Sequence, residues 1–379
     1  LVASLAASVS PEALNFVLVD YKGGSAFDAC SALPHTVGLV TDLDDHLARR
    51  ALLCLEAELR YREQRLRAAG VSDIEEYHDN ARPPLPRLLV AVDEFAALAM
   101  ELPDFMDALV GIAQRGRSLG VHLLLATQRP NGVISENIKA NTNLRIALRV
   151  QDAADSVDVI GSADAAALAR NRPGRGLARR GPGDVVAFQA ALVTGNSLVA
   201  GDAAVGICPF TFAHEQAGAR AESRGSDGGP SDLDVIVAAT ESAASELGIT
   251  PARSPWPDPL PTRLARADLI GPEGSGGAAV FALADEPHRQ RRQPVAWLAQ
   301  AGNLLMYGLT GSGTSTALAA IAVAIADAAG PDQIQLHVLD FDDQLLAPLQ
   351  RLPHVGSVVA GSDRERQLRL LGRLGAELQ

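Results

Sequence analysis

The sequence predicts an α/β protein made of two tandem copies of one module, each built on a parallel, doubly wound sheet. The first observation is a repeat: Asn15-Phe16-Val17-Leu18-Val19-Asp20-Tyr21 returns 320 residues later as Gln335-Leu336-His337-Val338-Leu339-Asp340-Phe341. The second is that apolar strands alternate with amphipathic helices along the chain. The third is a composition with 47% hydrophobic but only 4% aromatic residues, which suits the Val-, Leu- and Ile-rich strands of a buried parallel sheet.

Hydrophobic periodicity predicts the elements of the first copy in order. An apolar strand over residues 14–20 precedes an amphipathic helix over residues 42–69, whose leucines lie on one side. A second apolar strand at 88–92 ends in Asp93-Glu94, and a helix then runs to about residue 118. Further strands are predicted at 121–126, 144–150 and 184–193, and further helices at 153–168 and 231–247.

Changes of composition divide the chain into three regions. We expect a first module over residues 1–200, an interdomain linker over 201–262 and a second module over 263–379. The linker is polar and flexible at 225–230 and proline-rich around Trp256. Another repeated segment, Leu33-Pro34-His35 and Leu352-Pro353-His354, keeps nearly the same spacing. By that spacing the glycine loop of the first copy would end just before Leu1, so we expect a fragment in which both modules are incomplete.

Charge and cysteine usage exclude several classes of protein. The net charge of −12 argues against wholesale non-specific binding of polyanions. Three widely spaced cysteines without a Cys-x-x-Cys pair indicate free thiols rather than a disulfide framework. The longest apolar run, residues 317–326, is shorter than the roughly 20 residues that cross a bilayer. Residues 170–181 carry five arginines and no acid, and we interpret them as a solvated loop.

A glycine-rich segment in the second copy has the pattern of a phosphate-binding loop. It lies between an apolar stretch at 304–307, predicted as a strand, and a helix that begins near Ser315. Glycines allow backbone N–H groups and the helix N-terminus to point at phosphates, and a hydroxyl at Ser315 suits Mg²⁺. Thr314 stands where the usual signature has Lys, so we expect weak nucleotide binding and little or no hydrolysis; the alternative is a glycine turn without a ligand. The candidate nucleotide-binding residues are Gly308, Gly311, Ser312, Gly313, Thr314, Ser315 and Thr316.

Polar residues follow two neighbouring strands of the first copy. Asp93 and Glu94 end one apolar strand, where one carboxylate can hold Mg²⁺ and the other can polarise an attacking water. Asp93 is the candidate metal ligand of this copy. Gln128 ends the next strand, where its amide can sense a γ-phosphate or position water. The alternatives are that the acid caps the following helix and that Gln128 is structural.

Two arginines flank a glycine where a helix ends before a strand, in Gln114-Arg115-Gly116-Arg117-Ser118. A guanidinium at this position can reach across a subunit boundary and act on the γ-phosphate of a neighbouring copy. The alternative for either Arg115 or Arg117 alone is a cation that complements the helix dipole.

These motifs together resemble the FtsK/SpoIIIE family of ring-forming motor ATPases. The resemblance rests on Val19-Asp20-Tyr21-Lys22-Gly23-Gly24, Leu89-Val90-Ala91-Val92-Asp93-Glu94-Phe95, Ala113-Gln114-Arg115-Gly116-Arg117-Ser118-Leu119-Gly120-Val121-His122 and Ala126-Thr127-Gln128-Arg129-Pro130. It implies tandem RecA-like P-loop NTPase modules that use ATP and Mg²⁺. It also implies that Asp93 and Glu94 form the Walker B pair, that Gln128 is the sensor and that Arg115 or Arg117 is the arginine finger.

The second module narrows the resemblance further. The stretch from Asp285 to Pro294, the proline-rich segment around Trp256 and the degenerate glycine loop are similar to the EccC-type ATPases of type VII secretion. This resemblance implies a hexameric ring that exports protein, with its motor portion in the cytoplasm and tethered to a membrane secretion complex. The alternatives are a double-stranded DNA translocase of a division complex, for which the arginine-rich segment would supply DNA-binding contacts, and a scaffold that only binds nucleotide.

Overall fold

In the computed structural model, the chain divides into two compact units. The structure describes residues 1–21, 27–41, 44–79, 83–129, 136–181, 183–195, 230–269, 278–298, 302–341 and 345–377. Unit 1 comprises Leu1–Pro257 with Pro287–Gln290, and unit 2 comprises Asp258–Glu286 with Arg291–Gln379. Residues 196–229, which include the first part of the predicted linker, lie outside the described residues, so the region limits at 200 and 262 stay predictions.

Unit 1 contains most of the predicted helices and strands, with small shifts at their ends. Its elements are α1 Val2–Ser8, β1 Leu14–Asp20, β2 Thr36–Thr41, α2 Asp45–Ala69, α3 Ile74–His78, β3 Arg87–Asp93, α4 Phe95–Glu101, α5 Pro103–Gly116, β4 Val121–Leu125, α6 Glu136–Asn141, β5 Arg145–Leu148, α7 Ala153–Ile160, β6 Arg175–Gly181, β7 Asp184–Gln189 and α8 Asp232–Glu246. The single helix expected after β3 is two helices, because Leu102 leaves the helical conformation just before Pro103.

A four-stranded parallel sheet in the order β2-β1-β3-β4 forms the centre of unit 1. Alternate residues of β1 point to opposite faces, so Val17 and Val19 join one apolar cluster while Phe16 and Leu18 join another. The first cluster includes residues of α2, α3 and α5, and the second includes residues of α1 and α8. Burial on both faces explains why the strands read as continuous apolar runs and confirms the predicted doubly wound architecture.

A separate three-stranded antiparallel sheet, β5-β6-β7, follows the parallel one. Two predictions are wrong here. The strand near residue 146 does not extend the parallel sheet, and Arg175–Gly181 is the central strand β6 rather than a solvated loop. The ladder holds β6 in place: Leu177 pairs with Ala147 on one side and Ala187 on the other. Backbone hydrogen bonds from two neighbouring strands therefore override the polar side chains.

Unit 2 has a partly similar architecture. Its elements are β8 Ala279–Glu286, β9 Arg291–Trp297, α9 Thr314–Ala328, β10 Leu336–Asp340, β11 Val355–Ala360 and α10 Arg364–Glu377. Strands β8 and β9 form an antiparallel hairpin, and β10 pairs with β11 in parallel. The strand predicted at 304–307 is wrong, because no described segment forms a ladder with it and Leu305 and Tyr307 are 75% and 87% exposed. None of the described helices has the length and apolar character that crossing a membrane requires.

The repeat is visible in hydrogen bonds as well as in sequence. The buried ring of His35 donates from Nε2 to the carbonyl of Val9 at the end of α1 (2.6 Å), and His354 does the same to Ala329 at the end of α9 (2.7 Å). The carbonyls of these two histidines accept from Phe16 and Leu336 at 2.8 Å. Each module therefore uses one histidine to join the end of a helix to the first parallel strand pair, which is a structural role.

A buried ion pair joins the covering helix α2 to the sheet. Glu58 and Arg62 are 4% and 3% exposed, and Arg62 Nε lies 2.8 Å from Glu58 Oε1. The other guanidinium nitrogens of Arg62 donate to the carbonyls of Leu119 (3.0 Å), shortly before β4, and Pro86 (2.7 Å), directly before β3. Glu58 Oε2 accepts from Arg253, whose guanidinium also lies over the Tyr61 ring. The pair is thus fully supplied with partners, as a buried charge requires.

The segment after α8 also packs within unit 1. Trp256 is 8% exposed and belongs to the apolar cluster under α2, with its Cβ 3.1 Å from the position that a Cβ on Gly38 would take. Arg50 donates to the carbonyl of Pro257, and Gln290 donates to the carbonyl of Cys54 at 3.0 Å. The proline-rich segment therefore packs within this unit through Trp256.

Replacing Arg62 with Met is expected to lower the free energy of unfolding by about 3 kcal/mol, because the buried Oε1 of Glu58 and two backbone carbonyls lose the donor that Arg62 provides. Urea denaturation of wild type and variant measures the difference. Arg60→Met on the same helix is the matched control, since the Arg60–Glu56 pair is about half exposed and is expected to contribute less than about 0.5 kcal/mol. Equal losses for both variants would contradict the role assigned to Arg62.

Acid is expected to weaken unit 1 through His35. Burial lowers the pKa of His35 below its ordinary value of 6.5, although the hydrogen bond to Val9 acts in the opposite direction. Among the described residues, Nδ1 has no partner that could accept a second proton. The unfolded chain therefore binds this proton more readily. The contribution of His35 to stability is fully present above pH 6.5 and is lost as the pH falls through the lower pKa of the folded state.

The measurement for His35 is urea denaturation between about pH 8 and about pH 5, compared with His35→Gln, whose amide can keep the bond to Val9. Wild type is expected to lose more stability than the variant. Burial also lowers the pKa of His122, but this residue is present in both proteins and its effect cancels. Parallel pH curves would contradict the role of His35.

Candidate functional site

The carboxyl ends of the parallel strands bring the predicted polar residues to one edge of the sheet. Asp20 at the end of β1 is in register with Asp93 at the end of β3. The β3–β4 ladder continues beyond its strands, because Ala126 N donates to Val92 O and Phe95 N donates to Ala126 O, both at 2.9 Å. Glu94 and Gln128 follow directly on this ladder. Asp93, Glu94 and Gln128 therefore lie along the same edge.

Glu94 has an unusual backbone and a buried side chain. It adopts the left-handed conformation (φ 52°, ψ 48°) and is only 7% exposed. A non-glycine residue in this region of φ/ψ space is strained by roughly 1–3 kcal/mol and is typical of functional sites. Glu94 is the N-cap residue of α4, but its side chain makes no capping bond. The Glu94 carboxylate therefore does not cap the following helix.

The carboxylate of Glu94 is instead held by a residue of the neighbouring strand end. Thr127 Oγ1 donates to Glu94 Oε1 at 2.8 Å. Thr127 is not among the site residues predicted from the sequence, although it stands inside the motif Ala126-Thr127-Gln128-Arg129-Pro130. The available indication was its place directly after an apolar strand that neighbours Asp93-Glu94. Gln128 is exposed at the same edge.

The carboxyl ends of the strands, with Asp93, Glu94 and Gln128, form what we call the carboxylate edge. The two candidate arginines lie at the opposite edge, where β4 begins. Arg115 lies in the last turn of α5, Arg117 follows the helix before β4 begins, and both are exposed. Because β4 has five residues, about 16 Å of strand separates this turn from the carboxylate edge. The structure does not bring Arg115 or Arg117 to Glu94 within one chain.

The turn that carries these arginines is rigidly attached. A Cβ on Gly116 would lie 2.8 Å from Val121 Cβ, so only glycine allows the helix end to approach β4 this closely. Ile74 N donates to Ser118 O at 2.8 Å, and the buried Arg62 donates to Leu119 O. Both arginines are exposed on this fixed support, and Arg115 Nε donates to the carbonyl of Gly111 in its own helix at 3.4 Å.

In unit 2, the glycine loop leads directly into α9. Gly311 and Gly313 have φ values of 83° and 91°, and Gly313 is the N-cap residue of the helix. A Cβ on Gly308 would lie 2.1 Å from Ser312 Oγ, so this position needs glycine or a shift of Ser312. Thr314, Ser315 and Thr316 form the first turn, whose N–H groups have no acceptor inside the helix. This is the geometry that binds phosphate, with a hydroxyl at Thr314 instead of an ammonium group.

The residues present fit a nucleotide and Mg²⁺ in part. The described residues contain no group of three His, Cys, Asp or Glu side chains that could hold a metal ion. Mg²⁺ in phosphate sites takes only one or two protein carboxylates and completes its shell with phosphate and water, so a single ligand such as Asp93 is compatible with it. Lys22, which follows Asp20 and Tyr21 in the first motif, lies outside the described residues.

Comparisons with known proteins agree with this geometry. The FtsK/SpoIIIE family model matches residues 1–132 and 268–379, one segment in each copy of the repeat. The chain is 33% identical over 369 residues to the ESX secretion system protein YukB of Bacillus subtilis, covering 93% of this chain and 24% of the relative. It is 33% identical over 383 residues to the ESX secretion system protein EccC of Geobacillus thermodenitrificans, covering 96% of this chain and 25% of the relative.

Solved structures lead to the same group of proteins. The cytoplasmic domain of the type VII secretion ATPase EccC from Thermomonospora curvata superposes with a TM-score of 0.80 at 31% identity, over all of this chain and 43% of that one. The EssC protein of Geobacillus thermodenitrificans (ATPases 2 and 3) shares the fold, with a TM-score of 0.68 at 21% identity.

The chain spans about a quarter of the length of the curated relatives it matches. One explanation accounts for three observations: the two segments matched by the family model, the acidic residues at the ends of parallel strands, and the glycine loop before a helix. The chain belongs to the FtsK/SpoIIIE family, as tandem P-loop ATPase modules similar to those of type VII secretion.

Proposed function

We propose that this chain is part of a ring-forming motor that couples ATP hydrolysis in its first module to protein export by a type VII secretion system. The main support is the edge where Asp93, Glu94 and Gln128 come together, with Glu94 strained, buried and held by a neighbouring strand. The similarity to secretion system proteins supports the proposal that hydrolysis drives export. A related EccC structure in complex with a signal sequence peptide supports protein as the exported substrate.

The residues of the first module have separate roles in this proposal. When bound, Mg²⁺ neutralises charge on the phosphates, with Asp93 as its protein ligand. Glu94 polarises the water that attacks the γ-phosphate, and Gln128 contacts that phosphate from the next strand end. Arg115 or Arg117 stabilises the developing charge in a neighbouring subunit, because about 16 Å of strand separates both from the carboxylates of their own chain.

In this proposal, the second module binds nucleotide weakly and regulates ATP hydrolysis by the first module. The candidate residues from Gly308 to Thr316 provide backbone N–H groups, while Thr314 supplies no charge to the β- and γ-phosphates. A hexameric ring and a membrane tether complete the proposal, with the described ATPase modules on the cytoplasmic side.

The alternative of a double-stranded DNA translocase loses part of its support in the structure. Arg179 donates to the carbonyl of Gly181 (3.4 Å), and Arg180 pairs with Asp184 at 3.1 Å. These two guanidinium groups of the arginine-rich segment are used within the chain. Strong stimulation of hydrolysis by duplex DNA, with no response to a secreted substrate, would favour the alternative.

Replacing Glu94 with Gln is expected to lower ATP hydrolysis by at least roughly a hundredfold while ATP still binds, because the amide cannot polarise the water. The measurement is phosphate release by the complete gene product, with nucleotide binding followed separately. A rate equal to wild type would mean that the first module is not the hydrolytic one.

Replacing Arg115 or Arg117 with Ala is expected to lower the hydrolysis rate roughly a thousandfold for whichever residue is the finger. Mixing that variant with Glu94→Gln is expected to restore activity, since some interfaces then combine an intact glutamate with an intact arginine. The control is each inactive variant mixed with itself. Failure of the mixture to recover, in rings shown to contain both chains, would exclude action between subunits.

A further inference from the structure

Thr127 has a hydroxyl group whose hydrogen-bonding directions are determined by its surroundings. Its Oγ1 lies 2.8 Å from Glu94 Oε1 and 3.1 Å from the backbone nitrogen of Arg129. The N–H of Arg129 can only donate, so Oγ1 accepts from it. The single hydroxyl proton is then available for the carboxylate, which can only accept.

The position of this hydroxyl is fixed by the backbone on both sides. Phe95 N, next to Glu94, donates to Ala126 O, next to Thr127, and Ala126 N donates to Val92 O. Threonine is β-branched and therefore has few side-chain rotamers, and Thr127 is half-buried. Little conformational entropy remains to be lost when the hydroxyl binds the carboxylate.

Among the residues that the structure describes, Thr127 is the hydrogen-bond partner of the Glu94 side chain, and it engages Oε1. Within the described part of the chain, Oε2 is therefore the carboxylate oxygen that remains for a water molecule. A glutamate with three free side-chain torsions would otherwise sample several directions at the edge of the sheet. Here the left-handed backbone of Glu94 fixes the direction in which its side chain leaves the main chain, and the hydrogen bond from Thr127 fixes the position of its carboxylate.

We propose that Thr127 is a positioning residue for ATP hydrolysis: it holds the carboxylate of Glu94 so that Oε2 faces the attacking water. The inference rests on the proposed function, because it requires Glu94 to act on that water. Thr127 transfers no proton and contacts no nucleotide in this role. Its effect is on the transition state rather than on binding of ATP.

The test compares Thr127→Val, which keeps the shape but lacks the hydroxyl, with Thr127→Ser, which restores it. In the complete gene product, Thr127→Val is expected to lower kcat roughly tenfold to hundredfold, the cost of one hydrogen bond to a charged group. KM for ATP is expected to stay within about twofold, and Thr127→Ser is expected to recover most of kcat.

Thr36→Val is the matched control for a lost threonine hydroxyl. Thr36 Oγ1 donates to the carbonyl of Cys30 at 2.7 Å and lies at the start of β2, away from the carboxylate edge. It is expected to lower thermal stability without changing kcat. In a Glu94→Gln background, Thr127→Val is expected to have almost no further effect on the residual rate, because both substitutions remove the same function.

The outcomes separate this inference from the proposed function. If Glu94→Gln abolishes hydrolysis but Thr127→Val leaves kcat unchanged, the positioning role is wrong and the motor proposal stands. If Thr127→Ser is as slow as Thr127→Val, or if both raise KM with kcat intact, the hydroxyl does not position Glu94. If Glu94→Gln itself is fully active, the proposed function is wrong.

Discussion

The hydrogen bonds between β3 and β4 continue past the last ladder residues, and the carboxylate edge depends on that continuation. Two bonds of 2.9 Å, from Ala126 N to Val92 O and from Phe95 N to Ala126 O, hold the ends of both strands together. They force the chain to turn at Glu94 with a positive φ and bring Thr127 beside it. The strain at Glu94 persists because these backbone bonds and the start of α4 over-determine its conformation.

The opposite edge of the same sheet carries different chemistry. There, a glycine that no larger residue could replace and a buried arginine secure the turn between α5 and β4. The exposed cations of this turn and the buried anion of the other edge are separated by the length of a strand. In the proposed ring, the cationic edge of one subunit would complete the anionic site of the next.

The two modules have kept their framework and diverged in their chemistry. Both use a buried histidine to join the end of a helix to the first strand pair, and both have a register shift at the second residue of that pairing. These features preserve the packing of the module and the hydrogen bonds of its backbone. The glycine loop of unit 2 retains the backbone of a phosphate site, whereas Thr314 lacks the charge that the nucleotide signature requires.

Sequence alone determined the features that depend on local periodicity. Apolar runs ending in acids located β1, β3 and the edge that holds Asp93 and Glu94, because the carboxyl ends of parallel strands share one edge of a sheet. It misassigned Arg175–Gly181 and residues 304–307, because a strand exists only where another segment offers backbone partners, and local polarity does not report them. Only the tertiary structure brought Thr127 to Glu94, across 33 residues of chain, and separated the arginines from them. Contacts between neighbouring strands depend on the register in which the strands pair, and the local sequence pattern of one strand does not specify that register.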